Sequence, residues 1–181
     1  TLTVKALIAN GFDQLYCLPG VQNDNFFNAL FDHTDMITPI QTRHEQGAAY
    51  MATGAALATG DAQVYCVVPG PGFLNTTAAL STAYALNAPV MALVGQIPTG
   101  AQGKGHGLLH EIPDQIGILE RLTKSAHRIP GADDAASSLA AAFHHLASGR
   151  PQPVRLELAV NLCPQACEGE IPALSPACPP A

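Results

Sequence analysis

Short apolar runs that alternate with longer helical stretches are the feature that most constrains the fold of this chain. The runs QVYCVV at 63–68 and VMALV at 90–94 contain almost no polar residues. Runs of this length and composition are typical of strands that are covered on both faces of a parallel sheet. Glycine or proline bounds most of the helical stretches between them. The alternation predicts an α/β domain with a doubly wound, mostly parallel six-stranded sheet and helices on both faces.

The pattern can be divided into individual elements. The predicted strands are 14–18, 36–40, 63–68, 90–94, 124–129 and 154–158. The predicted helices are 2–10, 23–31, 43–59, 73–86, 112–120 and 133–147. In the second helix we expect a core-facing stripe made of Phe26, Phe27, Leu30 and Phe31. After a domain at residues 1–162, the segment 163–181 is rich in proline and lacks periodicity, which predicts a linker.

Composition narrows the functional classes. A length of 181 residues suits one domain, and a net charge of −6 argues against a nucleic-acid partner. Charged residues make up 12% of the chain, where about 25% is usual. Either another subunit or a further part of the protein covers much of the surface, or the chain is simply rich in small residues. No apolar run reaches the ~18 residues of a membrane span, and no signal peptide is visible.

The cysteines indicate a reducing compartment. Their number, five, is odd, and Cys17 and Cys66 fall within apolar strands, so we expect buried thiols and a cytoplasmic protein. Cys163 and Cys167 lack the spacing and the histidine neighbours of a zinc site. The sequence therefore predicts no metal site within this chain.

Glycine-rich or polar segments follow three of the predicted strands. Pro19-Gly20 follows the first, Glu45 lies just past the second, and the segment 69–72 with Asn75 follows the third. Ligands of an open parallel sheet bind beyond the carboxyl ends of its strands, so these residues are expected to converge. The segments match neither a dinucleotide fingerprint nor a P-loop. Taken singly, each also has a simpler interpretation as a helix-start carboxylate, a turn or a helix cap.

Five segments carry a resemblance to a known family. They are YCLPG at 16–20, RHEQGAAYMATGAA at 43–56, PGPGFLN at 69–75, APVMALVGQIP at 88–98 and HEIPDQIGILERLTK at 110–124. In this order and spacing they resemble the N-terminal pyrimidine-binding (PYR) domain of thiamine-diphosphate-dependent enzymes, in the acetolactate synthase and 2-oxoacid decarboxylase branch. The resemblance covers about residues 1–162 and implies the thiamine-diphosphate-binding fold.

The resemblance implies roles for individual residues. Glu45 occupies the position of the glutamate that hydrogen-bonds N1′ of the aminopyrimidine and thereby promotes loss of the thiazolium C2 proton. The residues implied to bind the cofactor are Pro19, Gly20, Glu45, Pro71, Gly72, Asn75 and Gln96. His106 and His110 lie in a loop, 99–111, that would border the substrate, a 2-oxo acid. The simpler interpretation is that both histidines are exposed loop residues.

Two positions depart from the acetolactate synthase pattern. Those synthases carry Phe-Gln-Glu where this chain has Leu109-His110-Glu111, and a lysine where it has Val160. His110 is either a polar contact or proton donor for a different 2-oxo acid, or a cap of the short helix that follows.

The resemblance also implies that this chain holds half of a cofactor site. The family binds the diphosphate and Mg²⁺ on another domain through a GDG motif, which this sequence lacks, and some members bind FAD on a middle domain. We therefore expect the N-terminal portion of an enzyme of about 550 residues, inactive alone. We expect a homodimer or tetramer in which helix 43–59 makes the contact and the PYR domain faces a diphosphate-binding domain of another subunit.

Two other classes of function are open at this point. The chain could be a standalone PYR subunit or a non-catalytic scaffold that pairs with a separate diphosphate-binding chain. Glu45 favours the enzyme, because a scaffold has no need of that carboxylate. A flavodoxin-like nucleotide-binding protein would share the topology, but the sequence lacks its phosphate-binding loop.

Overall fold

A single parallel sheet forms the centre of the molecule. In the computed structural model, which describes residues 2–165, the strands are β1 (Gln14–Cys17), β2 (Thr38–Gln41), β3 (Gln63–Val67), β4 (Val90–Gln96), β5 (Ser125–Arg128) and β6 (Val154–Ala159). They form a 6-stranded sheet in the order β2-β1-β3-β4-β6-β5, and every neighbouring pair is parallel. The predicted α/β fold with a parallel sheet is confirmed. Most of the predicted linker 163–181 lies outside the described residues.

Helices connect the strands. They are α1 (Leu2–Ala9), α2 (Asp24–Phe31), α3 (Glu45–Thr59), α4 (Pro71–Leu74), α5 (Thr77–Ala85), α6 (Gln115–Glu120) and α7 (Ala135–Ala147), with 3₁₀ turns at Val21–Asn23 and Thr99–Ala101. None of the helices described between residues 2 and 165 has the length and apolar character needed to cross a membrane.

The core has one layer on each face of the sheet. Side chains of α1, α2 and α7, among them Leu7, Leu30 and Phe143, pack on one face. Small residues of α3, such as Ala52, pack with α5 and Phe73 on the other. The central strands β3 and β4 send side chains into both layers, which explains why their sequences are continuously apolar.

The apolar stripe of α2 is narrower than predicted. Phe26 and Leu30 are buried, and Phe27 is partly buried against them. Phe31, however, is 77% exposed, so its predicted place in the core is wrong. Phe26 and Leu30 are four residues apart and share a face, whereas Phe31 points about 100° away from Leu30.

The predicted helix 73–86 is interrupted. The Thr76 hydroxyl donates to the Phe73 carbonyl at 2.8 Å and accepts from the Tyr65 hydroxyl at 3.1 Å. All three of these side chains are buried, so the hydrogen bonds hold a turn between α4 and α5 in place. The interruption leaves Asn75 just after α4, with its side chain exposed.

The order of the strands reverses direction between β1 and β3. The chain passes from β1 outward to β2 and then returns to β3 on the opposite side of β1. Ligands of doubly wound sheets bind in the crevice at the carboxyl ends of the strands that flank such a switch point. The turns after β1 and β3 are therefore where the fold favours a site.

Candidate functional site

Glu45 is held at the beginning of α3 by the segment that precedes it. The amide and hydroxyl of Thr42 donate to the Cys17 carbonyl at 2.8 and 3.2 Å, which ties the end of β2 to the end of β1. His44 is the N-cap of α3, and its Nδ1 accepts from the Gln46 amide at 3.1 Å. The half-buried Glu45 carboxylate thus lies in the first turn of a helix, where the helix dipole favours a negative charge.

Asn75 contacts Glu45 directly. Its Nδ2 donates to Glu45 Oε2 at 2.8 Å. The other oxygen, Oε1, lies beside Gly72, where a Cβ atom would be 3.3 Å from it. The structure therefore brings together three of the predicted site residues. Asn75 is not a helix N-cap, because it follows α4 and its amide is used by Glu45.

Gly20 and Gly72 share a buried neighbour, Val68, and Gly72 also lies beside the Glu45 carboxylate. Both pack on Val68, and a Cβ atom would lie 2.6 Å from Val68 Cγ1 at Gly20 and 2.5 Å from Val68 Cγ2 at Gly72. Real Cβ atoms do not approach that closely, so these positions need glycine for steric reasons. Pro19 and Pro71 are the exposed neighbours of the two glycines. The Glu45 carboxyl group and the exposed Asn75 carboxamide can hydrogen-bond a ligand that carries ring nitrogens.

Gln96 lies in a different environment from Glu45. It is buried at the end of β4, its Nε2 donates to Glu157 Oε1 at 3.0 Å, and its Oε1 accepts from the Ile97 amide at 2.7 Å. The structure does not bring it to the Glu45–Asn75 pair by hydrogen bonding. Its role in cofactor binding stays a prediction.

Glu157 is the centre of a buried polar cluster that sequence reasoning missed. Arg128 Nε donates to its Oε2 at 2.7 Å, and Arg155 pairs with its Oε1. Glu157 and Arg155 are fully buried. Burial, followed by the nearby Arg128 charge, lowers the pKa of Arg155 to about 9, which leaves it protonated at neutral pH. Two charged residues within the continuously buried strand β6 were the available signal.

Gln115 links this cluster to the turn after β3. Its Oε1 accepts from the Gly70 amide at 2.8 Å, and its Nε2 donates to the Gly95 carbonyl at 3.1 Å and to Glu157 Oε1 at 2.9 Å. The side chain is buried. Nothing in the sequence pattern had singled out this residue.

His110 is held next to the same turn. It has a φ of 68°, and its Nδ1 lies 2.6 Å from Gln22 Oε1. Because Gln22 Nε2 donates to the Leu109 carbonyl at 3.2 Å, its oxygen faces His110, and Nδ1 must be the donor. The cap of α6 is Asp114, whose Oδ1 accepts from the Gly117 amide at 2.9 Å. His110 is therefore not that cap.

The remaining part of the loop is organised by Glu111 and not by His106. The Glu111 carboxylate accepts from the Gly105 amide at 3.1 Å and from the Leu108 amide at 2.9 Å. These backbone hydrogen bonds, chiefly that of Leu108, lower the pKa of Glu111. His106 is exposed, and the structure does not bring it to the other predicted site residues by hydrogen bonding.

Comparison with known proteins gives consistent similarities. Residues 1–118 match the family described as "Thiamine pyrophosphate enzyme, N-terminal TPP binding domain". A probable acetolactate synthase large subunit of Methanocaldococcus jannaschii is 39% identical over 155 residues, which is 86% of this chain and 25% of that protein. Acetolactate synthase isozyme 3 large subunit of Escherichia coli is 35% identical over 87% of this chain and 27% of its own length. A probable 2-ketoarginine decarboxylase of Pseudomonas aeruginosa is 32% identical over 88% of this chain and 28% of its own length.

Proposed function

Because this chain belongs to the thiamine pyrophosphate enzyme family, as its N-terminal TPP binding domain, we propose that it supplies the aminopyrimidine half of a thiamine diphosphate site. The observation that carries the proposal is the 2.8 Å hydrogen bond from Asn75 to Glu45, set beside Gly72, where a side chain would meet Val68 and Glu45. The chain spans about a quarter of the length of the curated relatives, so the activity of the whole protein is part of the proposal.

The two oxygens of Glu45 have different tasks in this proposal. Oε2 accepts from Asn75, which fixes the orientation of the carboxyl group. Oε1 is left to hold a proton toward a ring nitrogen, N1′ of the aminopyrimidine. Gly72 keeps a side chain away from Oε1, and the half-buried Gly20 and the exposed Pro19 and Pro71 border the ring. When bound, the cofactor supplies a carbon nucleophile and an electron sink for a 2-oxo acid that loses CO₂.

The reaction class that we propose is decarboxylation or carboligation of a 2-oxo acid, of the acetolactate synthase type. Relatives that are named as acetolactate synthases and as a 2-ketoarginine decarboxylase support this class. His110 is the substrate-side residue that we favour, because the contact of its Nδ1 with Gln22 fixes the ring beside the turn after β3, and Nε2 of a protonated ring can donate to an oxygen of the acid. His106 has no comparable support.

The rest of the proposal concerns parts that this chain does not contain. We propose that the diphosphate and Mg²⁺ bind to another domain, that FAD is a further cofactor if a middle domain carries it, and that the subunits form a homodimer or tetramer. We also propose a cytoplasmic location. The buried thiols support it, since burial raises the pKa of Cys17 to about 11 and that of Cys66 well above its usual range, which suits structural cysteines.

The test is the variant Glu45→Gln in the full-length protein with thiamine diphosphate and Mg²⁺. We expect exchange of the cofactor C2 proton, followed by NMR, to slow by about 10²-fold or more, which is the usual contribution of a positioned proton-transfer group. Glu120→Gln, the same change at an exposed position, is the matched control. Unchanged exchange in Glu45→Gln would overturn the role of Glu45, and absence of thiamine diphosphate binding by the wild type would favour a non-catalytic scaffold.

A further inference from the structure

One buried side chain, Gln115, joins the carboxyl ends of three strands. Its oxygen receives the Gly70 amide after β3, and its nitrogen donates to Gly95 in β4 and to Glu157 in β6. It is 3% exposed, and each polar atom of the side chain has a partner. A buried amide with all of its groups satisfied is rigid, because any rotation would leave a polar group unpaired.

Glu157 determines which way the Gln115 amide points. A carboxylate can only accept hydrogen bonds, so the NH₂ group must face it and the oxygen must face the Gly70 amide. Glu157 is itself fixed by Arg128 on one oxygen and by Arg155 and Gln96 on the other. The orientation of Gln115 therefore depends on a charge cluster that lies behind the candidate site.

Gln115 accepts from the amide of Gly70, a position at which the backbone requires glycine. Gly70 has φ 59° and ψ −121° and precedes the first residue of α4. A Cβ atom there would lie within 2.3 Å of the His110 carbonyl oxygen. Gly70 is buried, and its amide would have to find a new partner if the Gln115 oxygen were lost. Asn75, which donates to Glu45, and Gly72, which lies beside Glu45, follow within the next five residues.

We propose that Gln115 is a positioning residue of the candidate site. Oriented by Glu157, its carbonyl oxygen fixes Gly70 and thereby holds Gly72 and Asn75 against Glu45. The inference deepens the proposed function, since it names what aligns the aminopyrimidine-binding turn. Its structural part, the control of the turn, does not depend on which ligand binds there.

Two variants of the full-length protein separate the possibilities. Gln115→Met has nearly the same volume but no oxygen for Gly70. Gln115→Glu keeps an oxygen for Gly70, but its second oxygen meets two acceptors, Glu157 and the Gly95 carbonyl, and fits there only when it carries a proton. Besides Glu157, the charged groups at this point are Arg128, Arg155 and the neighbouring Asp114. The matched control is Gln152→Met, since Gln152 is also buried but donates to Tyr84 at the other end of β6.

Two readouts are combined. Amide hydrogen exchange of the segment 69–76 in the cofactor-free protein reports the turn, and the dissociation constant of thiamine diphosphate reports the site. For Gln115→Met we expect exchange of the segment to accelerate, and cofactor binding to weaken, by about tenfold, as for the loss of one buried hydrogen bond. For Gln115→Glu we expect affinity to recover toward the wild-type value as the pH falls. Gln152→Met should change neither quantity.

The outcomes separate this inference from the proposed function. Unchanged exchange of 69–76 in both Gln115 variants, or unchanged affinity despite faster exchange, overturns the inference. If the wild type binds no thiamine diphosphate but Gln115→Met still loosens the turn, the proposed function fails and the control of the turn by Gln115 stands. Should Gln115→Met not fold, the pH dependence of Gln115→Glu decides alone, and a profile parallel to that of the wild type overturns the inference.

Discussion

At the scale of single residues, the site depends as much on missing side chains as on present ones. Glu45 Oε2 has one defined partner, Asn75, and the space around Oε1 is kept open by Gly72. Val68 fills the space beneath Gly20 and Gly72. One methyl group added at either glycine would therefore meet a buried branched side chain that has few alternative rotamers.

A prediction about Gly72 follows from these contacts. In Gly72→Ala the new methyl group would lie 2.5 Å from Val68 Cγ2 and 3.3 Å from Glu45 Oε1. We expect the turn to shift, thiamine diphosphate binding to weaken by about tenfold or more, and the free energy of unfolding to fall by about 1–3 kcal/mol, as in overpacked cores. Cofactor titration and urea unfolding of the full-length protein measure the two effects.

A second substitution identifies the cause. Val68→Ala removes Cγ2, the methyl group that obstructs the new side chain, so the double variant Gly72→Ala/Val68→Ala should bind more tightly than Gly72→Ala alone. Gly131→Ala is the control, because a Cβ atom there would make only an ordinary contact, 3.4 Å from Asp134. A double variant that binds no better than the single one would contradict a steric role for Gly72.

The sequence predicted part of this site and left out the rest for a physical reason. Glu45, Gly20, Gly72 and Asn75 could be predicted to converge because each follows a strand, and parallel strands end at one edge of the sheet. That Asn75 bonds to Glu45 could not be predicted, since it depends on the turn that interrupts helix 73–86. The Gln115–Glu157 contact spans 42 residues, and no local pattern encodes such a pairing.

At the scale of elements, the order and type of the strands were predictable, whereas several ends were not. The central strands contain long apolar runs, and runs of this kind indicate strands that are covered on both faces. Helix ends are set by side-chain caps and by contacts far along the chain, as with Asp114 at α6 and Thr76 before α5. Phe31 shows a similar difficulty. The eight residues of α2 show a helical period, but they do not show which of the adjacent residues Leu30 and Phe31 faces the core.

The glycine-rich loop provides a prediction about pH. Glu111 has a pKa below the ordinary value of 4.5 because backbone amides, chiefly that of Leu108, donate to its carboxylate. The Glu111 carboxylate therefore binds a proton more readily when the loop is open than when these hydrogen bonds are made. The ordering that Glu111 contributes is present above the ordinary pKa and is lost as the pH falls through the lowered value. Hydrogen exchange of residues 103–111, corrected for intrinsic rates, should show an ordered loop at about pH 7 and a more open one at a pH below 4.5.

Two variants test the assignment to Glu111. In Glu111→Gln the NH₂ group would face an amide donor, so the loop should exchange rapidly at both pH values. Glu120→Gln changes an exposed carboxylate at the end of α6 and should leave the wild-type profile intact. A pH profile that persists in Glu111→Gln would mean that another group orders the loop.

At the scale of the whole molecule, α3 and α5 present an apolar surface. Met51 and Leu57 are 45% and 49% exposed on α3, and Tyr84 is 41% exposed on α5. Tyr50 joins the two helices through its hydroxyl, 3.3 Å from that of Thr82. The inner face of α3 is packed with alanines against the sheet, so only the outer face is available to a partner. An exposed apolar surface of this kind agrees with the proposed contact through helix 43–59.

The last prediction tests that contact with two methionines. Met51→Lys places a charge on the outer face of α3. We expect the full-length assembly to dissociate at a protein concentration about tenfold higher than the wild type, measured by sedimentation velocity. Met36→Lys is the matched control, because Met36 is 55% exposed and lies just before the edge strand β2, outside α3. Both changes replace an exposed side chain, so neither should lower the unfolding temperature of the domain itself.

If a cofactor site is completed by a second subunit, Met51→Lys should also weaken thiamine diphosphate binding at low protein concentration, and high concentration should restore it. Equal sedimentation of the two variants would remove helix 43–59 from the interface.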